Sequence, residues 1–324
     1  MDNIKNFIES SQVPIVFNDM LDDWELFKWD LDKWNNIFEH QSLDCRKGRI
    51  TCTKEPLWES KCLHESHSFS EVIKMSKDVE NSGNWLYFDY KHIGKTVDEK
   101  IFKSISWKKF GYENLGPKDS TLWIGSIGAH TPCHQDLYDI DDACRCVTVV
   151  LSPGDVLFVP HKWWHYVENL TTAISINTWI QTPKYDNMAR LSESVVRFMA
   201  SSICSGVSKN IQSRLLNPNE IFSPSMVAES INFIDQSIKM VKNEVNTTDS
   251  REPDSTLLLK YQYKTYEPEQ CLSKVELDTK YHRHNHTSSS LKSDLNTDIN
   301  YRLLDSLCNE NVINQIVSNL IKID

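Results

Sequence analysis

The chain has 324 residues, 40% of them hydrophobic and 25% charged, with 45 acidic against 35 basic side chains and a formal net charge of -10. That length accommodates one to three domains with a full core. The acid excess argues against broad, salt-driven binding to nucleic acid, although a local basic groove near Lys108 and Lys109 stays open.

Nine cysteines are scattered along the chain and none forms a CxxC pair. They read as reduced thiols, which points to the cytoplasm or the nucleus. The start, Met1-Asp2-Asn3-Ile4, lacks the basic and apolar regions of a secretory leader, and no run is apolar enough to span a bilayer. The sequon-like Asn169-Leu170-Thr171 is therefore expected to stay unmodified.

In chain order, a short helix-like segment precedes an apolar strand at Val13–Phe17. Trp24, Trp29 and Trp34 follow at irregular spacing and are expected to cap the core. Arg49–Thr53 reads as a strand. Residues 68–79 read as a helix capped by Ser68 or Ser70, with Val72, Ile73 and Met75 on its apolar side. Trp85-Leu86-Tyr87-Phe88-Asp89-Tyr90 has strong strand propensity and is bounded by the turn Ser82-Gly83-Asn84. Residues 100–120 read as a loop with a short helical piece.

Short strands then crowd together: Thr121–Gly128, Cys133–Ile140, Cys146–Leu151, Val156–Val159, Trp164–Val167 and Ala173–Ile180. Gly/Pro turns between them argue for a jelly roll. All ten tryptophans lie at or before Trp179, which marks a domain edge near Thr182-Pro183. Beyond it come an amphipathic helix over 184–203 (Met188, Leu191, Val195, Phe198, Met199, Ile203) and a second around 224–242 (Met226, Ile231, Ile234, Ile238). The expected division is 1–183 jelly-roll domain, 184–242 helical extension, 243–300 polar linker without fixed structure, and 301–324 terminal helix. The terminal helix places Val312, Ile313, Ile316, Val317, Leu320 and Ile321 on one side. His282, His284 and His286 in the linker read as an exposed polar tract rather than a metal site.

The chemistry concentrates in His134-x-Asp136 and His165. Residues i and i+2 of a strand face the same side, so His134 and Asp136 can share the inside of a barrel, with His165 arriving from a neighbouring strand. Two imidazoles and one carboxylate leave open positions and suit Fe(II).

Ala129-His130-Thr131-Pro132-Cys133-His134-Gln135-Asp136 and SPGDVLFVPHKWWHYVE resemble the JmjC family of Fe(II)/2-oxoglutarate dioxygenases. VPIVFNDMLDDW, PLWESKC, WLYFDYK, Leu216-Asn217-Pro218 and the terminal LLDSLCNENVINQIVSNLI extend the likeness, towards the branch associated with small heat-shock proteins. The resemblance implies an α+β chain. Its core would be a β-rich double-stranded β-helix, a cupin-like jelly roll, with helices at both ends. It also implies Fe(II) on His134, Asp136 and His165, and 2-oxoglutarate as co-substrate, touched by Thr131 and, at weaker positions, by Tyr87 and Asn177.

One departure stands out. Only 29 positions separate Asp136 from His165, where the family carries several dozen more, including a strand whose lysine pairs with the far carboxylate of 2-oxoglutarate. Arg145, His161 and Lys162 are the basic side chains in this interval, and Lys162 belongs to the matched histidine segment. Residues 139–146 read as a junction where a block is missing, so the jelly roll is expected to be incomplete.

Three readings follow: a dioxygenase that hydroxylates a protein or RNA side chain, protein being the expected class; a non-catalytic protein that binds a small heat-shock protein; or a purely structural cupin-like module.

Overall fold

The computed structural model describes residues 2–49, 62–78, 83–96, 98, 100–134, 147–161, 163–216, 221–244, 262–266 and 299–322. They fall into two compact units, Met1–Ile180 with Glu252–Asn285, and Gln181–Arg251 with His286–Asp324.

The first unit opens with α1 (Asp2–Ser10), which buries Ile4 and Ile8, and β1 (Ile15–Phe17), which is buried throughout. A 3-10 turn at Glu25–Lys28 leads to α2 (Leu31–Phe38), whose N-cap Asp30 accepts from the Lys33 amide at 2.8 Å. Trp24 and Trp34 are buried and Trp29 packs against the same core, as their apolar bulk requires. Next come β2 (Leu43–Arg49), β3 (Leu63–His67) and α3 (Phe69–Lys77). Ser68 caps α3 in a reciprocal capping box with Glu71, which satisfies two otherwise orphaned amides.

The remaining strands of this unit are β4 (Asn84–His92), β5 (Ser120–Gly125), β6 (His130–His134), β7 (Val156–Phe158), β8 (His165–Glu168), β9 (Ala173–Thr178) and β10 (Tyr263–Thr265). They form an antiparallel five-stranded sheet of order β3-β2-β4-β5-β9, a three-stranded sheet β10-β1-β7, and a two-stranded ribbon β6-β8. The fold is α+β and consistent with a jelly-roll core.

Strand alternation sorts the five-stranded sheet into two faces. Leu43 and Cys45 of β2, Leu86 and Phe88 of β4, and Leu122 and Ile124 of β5 join the main core with Ile4, Trp34, Phe38, Phe69 and Val72 from the helices. Trp85 and Tyr87 of β4 belong to a second cluster with Ala129, against which Trp123 packs. The helices thus cover one face and leave the other to more polar residues.

Two expectations need correction. Tyr263–Thr265, inside the stretch read as polar linker, pairs with β1 in register Ile15↔Thr265. Val147–Leu151 has no regular structure despite its β-branched composition, and Val150 and Leu151 are 68% and 46% exposed. β-propensity is realised only where the sheet offers a site for it. Residues 50–53, completing the strand read at Arg49–Thr53, lie outside the described residues, as do His282, His284 and His286.

The second unit is helical: α4 (Pro183–Cys204), α5 (Lys209–Leu215), α6 (Met226–Glu244), α7 (Ile299–Leu307) and α8 (Glu310–Lys322). Leu191, Val195 and Val196 of α4, Val241 of α6, and Ile313 and Val317 of α8 share one core. The terminal helix therefore docks on its own unit. Met188 and Ile231, read as apolar-face residues, are 40% and 52% exposed. Among the described residues no helix is long and apolar enough to cross a membrane.

Candidate metal centre

The site is built where the polar face of the five-stranded sheet meets the ribbon. In the ribbon, β6 and β8 run antiparallel, with His130↔Glu168, Thr131↔Val167 and His134↔His165 as Cα partners and a register shift between Thr131 and His134. Opposing residues of an antiparallel pair share a face and have Cβ atoms about 4.5–5.5 Å apart. The backbone thus sets the positions of the two histidines side by side. A bulge near such a pair is a common means of re-aiming a side chain. Asp136 lies outside the described residues, as do Arg145 and Lys162. Among the described residues no group of three metal-binding side chains is assembled.

His165 is half-buried, and its Nδ1 lies 3.0 Å from the Trp163 carbonyl. A carbonyl only accepts, so Nδ1 is the donor, and in the neutral ring the lone pair then sits on Nε2. Metal-ligating histidines are oriented in this way. The Nδ1 contact with the Trp163 carbonyl and the His134↔His165 register fit a metal.

Tyr87 is buried on the polar face of β4, and the half-buried Thr131 forms a side-chain hydrogen bond with it across the two sheets. Burial pushes the Tyr87 phenol up to about 12, with the Thr131 bond acting in the opposite direction. The phenol is therefore a neutral hydroxyl throughout the physiological range. Asn177 of β9 accepts from the Trp123 indole through Oδ1 at 2.8 Å. Thr131 and Tyr87 are thus brought together, and Asn177 lies on the same sheet, opposite Thr121.

Sequence reading missed the charged centre of this face. Arg46 of β2 is 1% exposed, and its Nε donates to Asp89 of β4, itself buried. Arg46 also donates from Nη2 to the His130 carbonyl at 3.2 Å and from Nη1 to the Cys62 thiol at 3.8 Å. Burial opposes its charge, yet Asp89 and Cys62 hold its pKa above the ordinary guanidinium value. The available signal was an aspartate inside the apolar strand of WLYFDYK, since a buried carboxylate calls for a partner. Among the described residues Arg46 is the buried cation of this face, and it is committed to Asp89. The groove suggested near Lys109 is also compensated, because its ammonium pairs with Asp22 and, at 2.8 Å, with Asp23.

The pattern of the cupin-like domain matches residues 139–186. The antiparallel sheets are consistent with the jelly-roll core of such a domain.

The relatives are more particular. The chain is 28% identical to HSPB1-associated protein 1 of Mus musculus over 281 residues, covering 67% of this chain and 58% of that protein. It is 26% identical over 305 residues to the HSPB1-associated protein 1 homolog of Danio rerio, covering 74% of this chain and 67% of that protein. Lysine-specific demethylase 8 of Xenopus tropicalis is 53% identical over 69 residues, covering 21% of this chain and 15% of that protein. The chain therefore spans 58% of the length of the mouse relative. That alignment also runs over more positions than 67% of 324 residues supplies, so part of the relative's aligned length has no counterpart here.

Proposed function

We propose that this chain is a JmjC-type dioxygenase dependent on Fe(II) and 2-oxoglutarate, a hydroxylase of a protein side chain. The observation that carries this reading is the His134↔His165 register with the His165 proton fixed on Nδ1. His134, Asp136 and His165 would hold the metal. Bound Fe(II) and 2-oxoglutarate would supply an oxidation of substrate by O2. The chain's own groups bind and orient. Trp163 aims His165 through its carbonyl. Tyr87 and Thr131 offer neutral hydroxyls to a carboxylate, and Asn177 offers the amide nitrogen not used by Trp123.

The second reading is a non-catalytic partner of a small heat-shock protein. The short interval between Asp136 and His165 and the name of the mouse and zebrafish relatives favour it. The cytoplasm, with or without the nucleus, is the proposed location, resting on the scattered cysteines.

A thermal melt under anaerobic conditions, with and without Mn(II) plus 2-oxoglutarate, separates the two. Ligand at a hundred times its dissociation constant adds about 2.7 kcal/mol, a shift of a few degrees for a protein of this size. A shift abolished by His165→Ala supports the dioxygenase. A cooperative melt with no shift leaves the binding protein.

A further inference from the structure

The ribbon β6-β8 carries two of the three candidate ligands, yet among the described residues it joins neither sheet through a ladder. Two strands alone are marginally stable, so the placement of His134 and His165 depends on contacts across the sheets. Beside backbone bonds between Asn169 and the residues before β6 and a bond from the Trp163 indole to the Gln12 carbonyl, these contacts gather around one side chain. Arg46, on the polar face of β2, reaches Asp89 of β4 with Nε and the carbonyl of His130, the first residue of β6, with Nη2. Its guanidinium lies 5.5 Å from the Tyr87 ring centroid and 5.8 Å from that of Trp85. Trp85 meets the His130 imidazole edge-on at 5.0 Å, and Tyr87 bonds Thr131, the second residue of β6.

We propose that Arg46 is the positioning residue of this centre: it clamps the histidine-bearing ribbon to the five-stranded sheet, with Asp89 holding the guanidinium in place. A guanidinium presents five donors in a fixed fork, so it serves a carboxylate and a carbonyl on different strands at once. A lysine ammonium is a single point and does not span both. The pair occupies the face away from the main hydrophobic core, beside the smaller cluster of Trp85, Tyr87 and Ala129.

The inference rests on the metal reading for its consequence, but the clamp itself is testable without metal. Hydrogen exchange of the full chain is compared for wild type, Arg46→Lys and the double variant R46M/D89L. The double variant removes the charge pair altogether, a change that is often neutral or stabilising when apolar residues of similar volume take over. The expected result is exchange at least tenfold faster at the amides of His130, Thr131, Cys133 and His134 and of 165–168, with β4 and β5 unchanged. Anaerobic Co(II) titration, followed by visible absorption, should show at least tenfold weaker binding in the same variants. A folded Arg46→Lys variant with wild-type exchange in the ribbon overturns the clamp, as does equal acceleration across the whole sheet, which marks a general stability role. If the double variant does not fold, Arg46→Lys decides alone. Wild-type protein that binds no Co(II) but shows the local exchange effect retires the metal reading and leaves the clamp standing.

Discussion

Trp123 donates its indole N–H to Oδ1 of Asn177 at 2.8 Å, and this bond fixes which way the amide points. An indole nitrogen only donates, so the oxygen faces Trp123 and the amide nitrogen points away from it. Asn177→Asp keeps the acceptor for Trp123 but replaces the NH2 donor by a carboxylate oxygen. The expected outcome is an unchanged Mn(II)-only thermal shift with loss of the increment added by 2-oxoglutarate. Calorimetric melts with each ligand separately check it. A full 2-oxoglutarate increment in the variant would remove Asn177 from the co-substrate site.

Tyr87 links pH to stability. Burial raises its phenol from the ordinary value near 10 to about 12. A raised value in the folded state means the contribution is complete below pH 10 and is lost as pH rises through 12. Tyr87→Phe keeps the ring against Trp123 and Arg46 but cannot ionise. Wild type should therefore lose melting temperature faster than Tyr87→Phe between pH 10 and 12, and ultraviolet titration should show one fewer late-titrating phenol in the variant. Parallel alkaline melting curves would show that Tyr87 titrates normally.

Gly125 sits where β5 passes beneath the site. A Cβ added there would run into the Asn169 amide and come within 2.9 Å of the Tyr87 ring. Overpacking of this kind costs about 1–3 kcal/mol. Gly125→Ala is expected to lower the melting temperature by several degrees and to weaken the Mn(II)-dependent shift, because Tyr87 is pushed away from Thr131. Melts with and without Mn(II) test both parts.

Phe38 is fully buried, with its ring stacked near Phe69 and Trp34 and set edge-on to Phe88. Phe38→Ala should cost about 3–5 kcal/mol, read by urea unfolding. Trp164→Ala, at a side chain 38% exposed, should cost less than Phe38→Ala. The contrast checks that the helices, and not the loop before β8, hold the main core.

Much of the architecture was written locally. The apolar period in 184–203 gives α4, and the alternation in Trp85–Tyr90 falls within β4. Ser68 and Glu71 give a helix start because a capping box needs only four consecutive residues. The candidate ligands were legible as His134-x-Asp136 and His165 because residue type and order are sequence properties. Met188 and Ile231 show the limit: periodicity names a face, but the neighbouring helix decides how far along it burial extends.

Other features exist only in three dimensions. The sequence by itself determined the helices read at 184–203 and 224–242, the strand around Trp85–Tyr90, the cupin-like pattern and the identity of the ligand candidates, since each depends on residues close together in the chain. It could not specify that Arg46 meets Asp89, 43 positions away, or the His130 carbonyl, 84 positions away. Only the tertiary structure decided those contacts. A buried charge takes whatever partner the folded sheets bring within a few ångströms, and that choice depends on strand order and register rather than on distance along the chain.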